Sequence, residues 1–227
     1  GALLYGSSAI AVGTINTVVP NNPKISGLSL IREFIDGIRY VITNPILLPI
    51  VFIGASAYLL VVPTVHGLLP VYASEVFEVG PVGLGMMGSA LGIGAALGSV
   101  TIASIQNLQY KGLIQIGALM LTSVAAIALS QSTSLVAAIP FLVLVNLGFV
   151  TFTTVRSASI QLITPNSMRG KATAINSMGT GLSPIGGLAL GWTAQHFGPP
   201  HATLIGSFIL VGILLGTVFL FKDLRRF

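Results

Sequence analysis

The chain has 227 residues, 53% hydrophobic and only 7% charged, with a net charge of +5. Soluble domains carry about 25% charged residues. This composition, with a mean hydropathy of +0.95, therefore excludes a soluble globular domain, a disordered chain and a nucleic-acid binder, and leaves a polytopic membrane protein.

The 27 Gly and 12 Pro are spread through apolar runs, which membrane helices tolerate. No ten-residue stretches alternate polar with apolar, as a transmembrane barrel requires. The absence of Cys removes disulfides, Cys-ligated metals and Cys nucleophiles. The predicted fold is all-α, with six transmembrane helices.

Taken in chain order, residues 1–19 read as the end of a preceding transmembrane helix. The sequence opens on Gly1 inside an apolar run, with neither an initiator Met nor the basic region of a signal peptide. It is therefore expected to be one part of a longer protein. Residues 20–44 form a loop with an amphipathic helix at 29–43. Ile31, Phe34, Ile35, Ile38, Val41 and Ile42 share one face at 100° per residue; Arg32, Glu33, Asp36, Arg39 and Tyr40 share the other. Such a helix lies on a membrane interface or packs on protein.

Six segments reach the roughly 20 apolar residues a spanning helix needs. They are 46–72, 81–105, 112–130, 134–155 with a possible extension to 163, 172–195 and 201–221. Asn44-Pro45, Gly80-Pro81, Gln106-Asn107, Gln131-Ser132, Thr164-Pro165-Asn166 and Gly198-Pro199-Pro200 punctuate them. The first span carries Tyr58 and His66, two turns apart on one face, among Pro49, Pro63 and Pro70. His66 is either a proton carrier near neutral pH or simply hydrogen-bonded at a membrane boundary. The second span holds Gly88, Gly92, Gly94 and Gly98 at small-xxx-small spacing, which lets helix backbones approach closely.

Asn146, Thr153 and Arg156 with Ser157 form a polar stripe on the fourth span, with Gln161 beyond. Polar faces are expensive in lipid, so the stripe should face protein or a water-filled cavity. Arg156 either snorkels to an interface or serves a cavity, binding an anionic group or closing a gate. Arg169, Gly170 and Lys171 form a basic turn before the fifth span. That span carries Asn176, Thr180 and Ser183, then Gly187 and Gly191, with Gly186-Gly187 after Pro184 as a flexing point. His196 and His201 lie beside prolines without acidic neighbours, so no metal site is expected. Lys222, Arg225 and Arg226 close the chain.

Basic residues outside the spans fall on alternate connections: Lys24, Arg32 and Arg39, then Lys111, then Arg169 and Lys171, then the terminal tail. The positive-inside rule places these connections and the C-terminus in the cytoplasm. The glycine-rich runs at 87–98 and 178–191 occupy the middle helices of two triplets of opposite orientation, the inverted three-helix repeats common in secondary transporters. No Asp or Glu lies within a span, so any proton relay would use His66 or an acid elsewhere. No G-x-S-x-G, H-E-x-x-H or P-loop occurs, and Ser183 has no His a turn away; the chain is not expected to be an enzyme.

Several stretches resemble the C-terminal half of a major facilitator superfamily transporter, most closely the bacterial enterobactin-exporter and macrolide-efflux type. They are Gly37-Ile38-Arg39-Tyr40 with Pro45, Leu68-Leu69-Pro70-Val71-Tyr72-Ala73, Gly83-Leu84-Gly85 through Gly98, and Gln161 with Pro165 and Met168-Arg169-Gly170-Lys171. The resemblance spans residues 1–227. It implies that the six spans are the family's helices seven to twelve. Helices seven and ten would line the cavity, placing Tyr58, His66, Asn146, Thr153 and Arg156 near substrate. Helices eight and eleven would meet the N-terminal half, and nine and twelve would face lipid. Ser104 to Lys111 keeps only the basic residue of the acidic-and-basic signature this loop often repeats.

The expected function is proton-coupled, alternating-access export of a small apolar or amphiphilic compound, such as a drug or siderophore, across the plasma or inner membrane. The expected partners are the lipid bilayer, the N-terminal half, the small molecule and protons, with no cofactor, metal or nucleic acid. The alternative is a permease or assembly subunit working with separate partner proteins. The connections at 106–111 and 164–171 are short for coupling to an ATPase.

Overall fold

The computed structural model describes residues 27–104, 110–221 and Leu224. The expectations for residues 1–19, for the start of the 20–44 loop and for Lys222, Arg225 and Arg226 fall outside these residues. The chain divides into two units, Gly1–Glu33 and Phe34–Phe227. In the first, residues 27–33 are helical. All that follows concerns the second.

Helix α1, Gly27–Thr43, ends just before Asn44, whose Oδ1 accepts from the amides of Ile46 and Leu47 at 3.0 Å each. This satisfies two of the orphan donors that open the next helix. That helix, α2, spans Leu47–Val76 and is not uniformly α-helical. Pro63 and Pro70 supply no amide hydrogen, and the ladder widens twice. The amide of Leu68 reaches the carbonyl of Pro63 at 3.0 Å, and that of Phe77 reaches Tyr72 at 2.9 Å, both five residues back. The expected end at residue 72 is thereby carried to Val76. Gly80, at φ +61°, opens α3, Gly80–Ser104.

Helix α4, Lys111–Ser130, follows the left-handed Tyr110. Helix α5, Leu135–Ile163, is capped by Ser134, which accepts from the amide of Ala137. It runs unbroken through the optional extension to 163 and stops where Thr164 turns extended before Pro165, as the residue before a proline tends to.

The fifth predicted span is the one the structure breaks. It consists of α6, Asn166–Met178, a tight turn at Thr180–Leu182, and α7, Ser183–Phe197. Pro184 has no amide hydrogen for an α-helical bond to Thr180, whose carbonyl instead accepts from Ser183 three residues on. Gly179 and Gly181 weaken the same turn. The break therefore precedes Pro184 rather than following it at Gly186-Gly187. Arg169, Gly170 and Lys171, expected in a turn, lie in the first turns of α6; the turn itself is Thr164-Pro165. Helix α8 runs Pro199–Leu220. Among the described residues, five helices are long and apolar enough to cross a membrane: α2, α3, α4, α5 and α8.

Packing follows a reciprocal scheme. Helix α5 has α3 and α4 as its principal neighbours, α2 has α7 and α8, and α4 meets α8 directly. The first helix of each triplet thus lies against the second and third helices of the other, as expected of two repeats. Leu47, Ile50, Ile53 and Ala57 of α2, Leu119 of α4, Leu142, Val145 and Phe152 of α5, and Leu210 and Leu214 of α8 are all buried. Outward-facing Ile93, Val100, Val124, Val136, Leu188, Phe208 and Phe219 are exposed, an apolar exterior suited to lipid rather than water.

Candidate functional site

The sequence-predicted residues do not form one cluster. Asn146 is buried in α5, and its Nδ2 donates to the carbonyl of Leu91 in α3 at 2.7 Å. It ties two helices together. Thr153 is half-buried, and its hydroxyl bonds to the carbonyl of Val150 in its own helix. Ser157 and Gln161 are exposed. The polar stripe therefore points in several directions, because α5 has a neighbour on more than one side.

Tyr58, His66 and Arg156 do come together, through two phenylalanines that the polar search passed over. Phe149, Phe152 and Arg156 sit at i, i+3 and i+7 on α5, one helical face. Opposite them, α2 presents Tyr58 and His66. The rings of Tyr58 and Phe149 meet edge to face, 5.9 Å apart at 79°. His66 lies 6.4 Å from Phe149, and Phe149 lies 6.5 Å from Phe152. The guanidinium carbon of Arg156 stands 5.7 Å from the Tyr58 ring centre and 5.8 Å from that of Phe152. These residues form a continuous file of rings between α2 and α5 that ends on a cation. The signal was available in the seven-residue spacing of Phe149 and Arg156, but it is hydrophobic in character and reads first as core.

Arg156 is only 2% exposed. Seven residues from the end of α5, it lies about 10 Å along the helix from that end, so it does not snorkel out. A Cβ at Gly54 of α2 would overlap its guanidinium, and one at Gly179 would come 3.6 Å from Nη2. Glycine at these two positions leaves the space the side chain fills. Two desolvated cation–π contacts contribute about 2 kcal/mol each. Nε and Nη2 nonetheless have no hydrogen-bond partner, and each such donor costs about 1–3 kcal/mol. The buried Oδ1 of Asn176, one turn before Gly179, is unpartnered too.

At the other end of the file, His66 lines an open cleft of about 450 Å³ with Val62, Pro63, Gly67, Leu68, Ser183, Gly187 and Gly191. Three residues of the fifth predicted span thus join His66 there. A second, more apolar cleft of about 460 Å³ lies between α3 and α5 along Val82, Gly85, Met86, Ser89, Ala90, Ile93 and Ile139.

The predicted packing glycines divide into two sets. Gly94 and Gly98 are buried, and a Cβ on them would strike the carbonyls of Val143 and Leu147 of α5. Gly88, Gly92, Gly187 and Gly191 have open space where a side chain would be. It is Gly186 that packs, against the carbonyl of Leu59. Lys171 pairs with Asp36 of α1 at 3.9 Å, whereas Arg169 and Gly170 are exposed. Gly37 of α1 seats against Ile175 and Lys171, and Val41 is buried, while Ile35 and Ile42 remain exposed. Ile31, Phe34, Arg32 and Glu33 fall outside the described side chains.

A family model for transmembrane secretion effectors matches residues 7–226. No curated protein and no solved structure matches the chain. The family match covers nearly the whole sequence. The chain belongs to this family and is a multi-pass membrane transporter of the major facilitator type.

Proposed function

We propose that this member of the transmembrane secretion effector family exports a small apolar or amphiphilic compound by proton-coupled alternating access, as an enterobactin-exporter or macrolide-efflux type would. The observation that carries the reading is the ring file Tyr58, His66, Phe149 and Phe152 ending on Arg156. It offers apolar contact along its length and a charge at one end, between the two helices that would line a central cavity. Tyr58, His66 and Arg156 contact the compound in this reading, and Thr153 stands beside them. Asn146 holds α5 against α3.

The open glycine faces of α3 and α7 suit close approach by a second helical bundle, the N-terminal half of the transporter. Residues 1–19 would end its last helix, residues 20–44 would link the halves, residues 45–221 would be the six-helix bundle, and 222–227 a cytoplasmic tail. The basic connections would face the cytoplasm of a cell whose plasma or inner membrane holds the protein.

The test is transport by inverted vesicles from cells producing the full-length protein, with a panel of anionic, neutral and cationic fluorescent amphiphiles. Accumulation driven by an acidic lumen and abolished by a protonophore is the expected result. Accumulation that needs ATP and survives the protonophore would overturn this reading in favour of a permease subunit.

A further inference from the structure

The two orphaned nitrogens of Arg156, Nε and Nη2, are not an arbitrary pair. Together they form the side-on fork of the guanidinium, whose parallel N–H bonds match two oxygens of one carboxylate or phosphate. The chain carries five acids: Glu33, Asp36, Glu75, Glu78 and Asp223. Asp36 pairs with Lys171, and no carboxylate pairs with Arg156 among the described residues. A buried cation that is stabilised by rings yet lacks an acceptor for its fork is complete only when an anion arrives.

The surroundings also indicate a route. Gly54 and Gly179 flank the guanidinium without side chains, and Gly179 opens the break between α6 and α7. Movement at that break uncovers the fork without displacing a packed side chain. The rings of Tyr58 and Phe152 beside the cation favour an anion carried on a flat apolar body.

We propose that Arg156 is the recognition cation for a carboxylate or phosphate group on the transported compound, which is therefore an organic anion with an aromatic or apolar body. The proposal rests on the transport reading above and deepens it.

Equilibrium dialysis of the full-length protein in nanodiscs tests it with three probes: 1-naphthoate, its neutral counterpart 1-naphthamide, and inorganic phosphate. The wild type should bind naphthoate at least about tenfold more tightly than naphthamide, a difference of about 1.4 kcal/mol. Arg156→Gln should bring that ratio close to one while leaving naphthamide binding unchanged. Arg156→Lys should keep part of the preference, since it retains the charge but not the fork. It also serves as the folded control should the Gln variant not be recovered. A ratio unchanged in Arg156→Gln, or no preference in the wild type, overturns the proposal. Displacement of naphthoate by phosphate at equal affinity also overturns it, since the site would then take the free ion. Binding needs no gradient, so the two readings fail separately. Charge-selective binding without vesicle transport would sink the transport reading and support the anion site. Gradient-driven transport without charge-selective binding would do the reverse.

Discussion

The guanidinium of Arg156 rests against the bare Cα of Gly54 on the facing helix, so that a single added methyl would overlap Cζ, Nε and Nη2 together. Gly54→Ala should therefore cost about 1–3 kcal/mol of stability, the range for overpacking a filled interior. It should also weaken the preference for 1-naphthoate by pushing the cation aside. Thermal unfolding in detergent and the dialysis assay read the two effects. A variant with unchanged unfolding and unchanged preference would show that Arg156 does not depend on this space.

Asn146→Ala removes the bond to the Leu91 carbonyl. Hydrogen bonds between membrane helices average about 0.6 kcal/mol and reach about 1.7. A small loss of stability is expected, with transport per folded molecule retained. A transport defect without destabilisation would instead mean that Asn146 contacts the compound.

The two sets of glycines in α3 should separate cleanly. Gly94→Ala and Gly98→Ala place a methyl against the Val143 and Leu147 carbonyls and should lower stability by about 1–3 kcal/mol. Gly88→Ala and Gly92→Ala meet open space and should leave the folding of this unit unchanged. They should nonetheless slow transport if that face slides on a second bundle. Unfolding and vesicle transport measured on all four variants give the comparison.

The triple variant Gly179→Ala, Gly181→Ala and Pro184→Ala restores good helix formers and the missing amide at the break in the fifth predicted span. Higher thermal stability with slower transport is the expected outcome. Faster or unchanged transport would mean that the break does not move in the cycle.

The Asp36–Lys171 pair spans 3.9 Å, with one partner half exposed. Exposed pairs contribute about 0–1 kcal/mol, so Asp36→Asn should shift the unfolding temperature little and lose even that shift at high salt. A large shift would mean that α1 is held to α6 chiefly by charge rather than by Gly37 seated on Ile175.

The spans were legible in the sequence because hydropathy is additive along a chain: an apolar run of the right length remains one wherever its neighbours stand. Their directions of facing were less legible. Asn146 and Arg156 are both polar and both on α5, yet one is tied to α3 and the other looks at α2, a distinction set by which helices surround α5. Phe149 and Phe152 escaped notice because an aromatic residue in an apolar helix carries no polar flag. Gly54 and Gly186 fit no small-xxx-small pattern, whereas Gly88 and Gly92 fit it and touch nothing in this unit. The break at Gly179–Leu182 was partly written in Pro184. Which of the nearby glycines yields depends on the missing amide acting three to four residues upstream, not on the proline's own position.

The two wide turns of α2, at Pro63–Gly67 and Tyr72–Val76, each hold one residue more than an ordinary turn. In lineage terms each is a tolerated insertion. Losing one residue inside either turn would close the ladder into regular helix and keep the flanking sides in register. Losing one elsewhere in α2 would rotate every later side chain by about 100° and carry Tyr72 away from its bond to Thr203. Relatives of this chain that differ in length within α2 should therefore differ at these two turns.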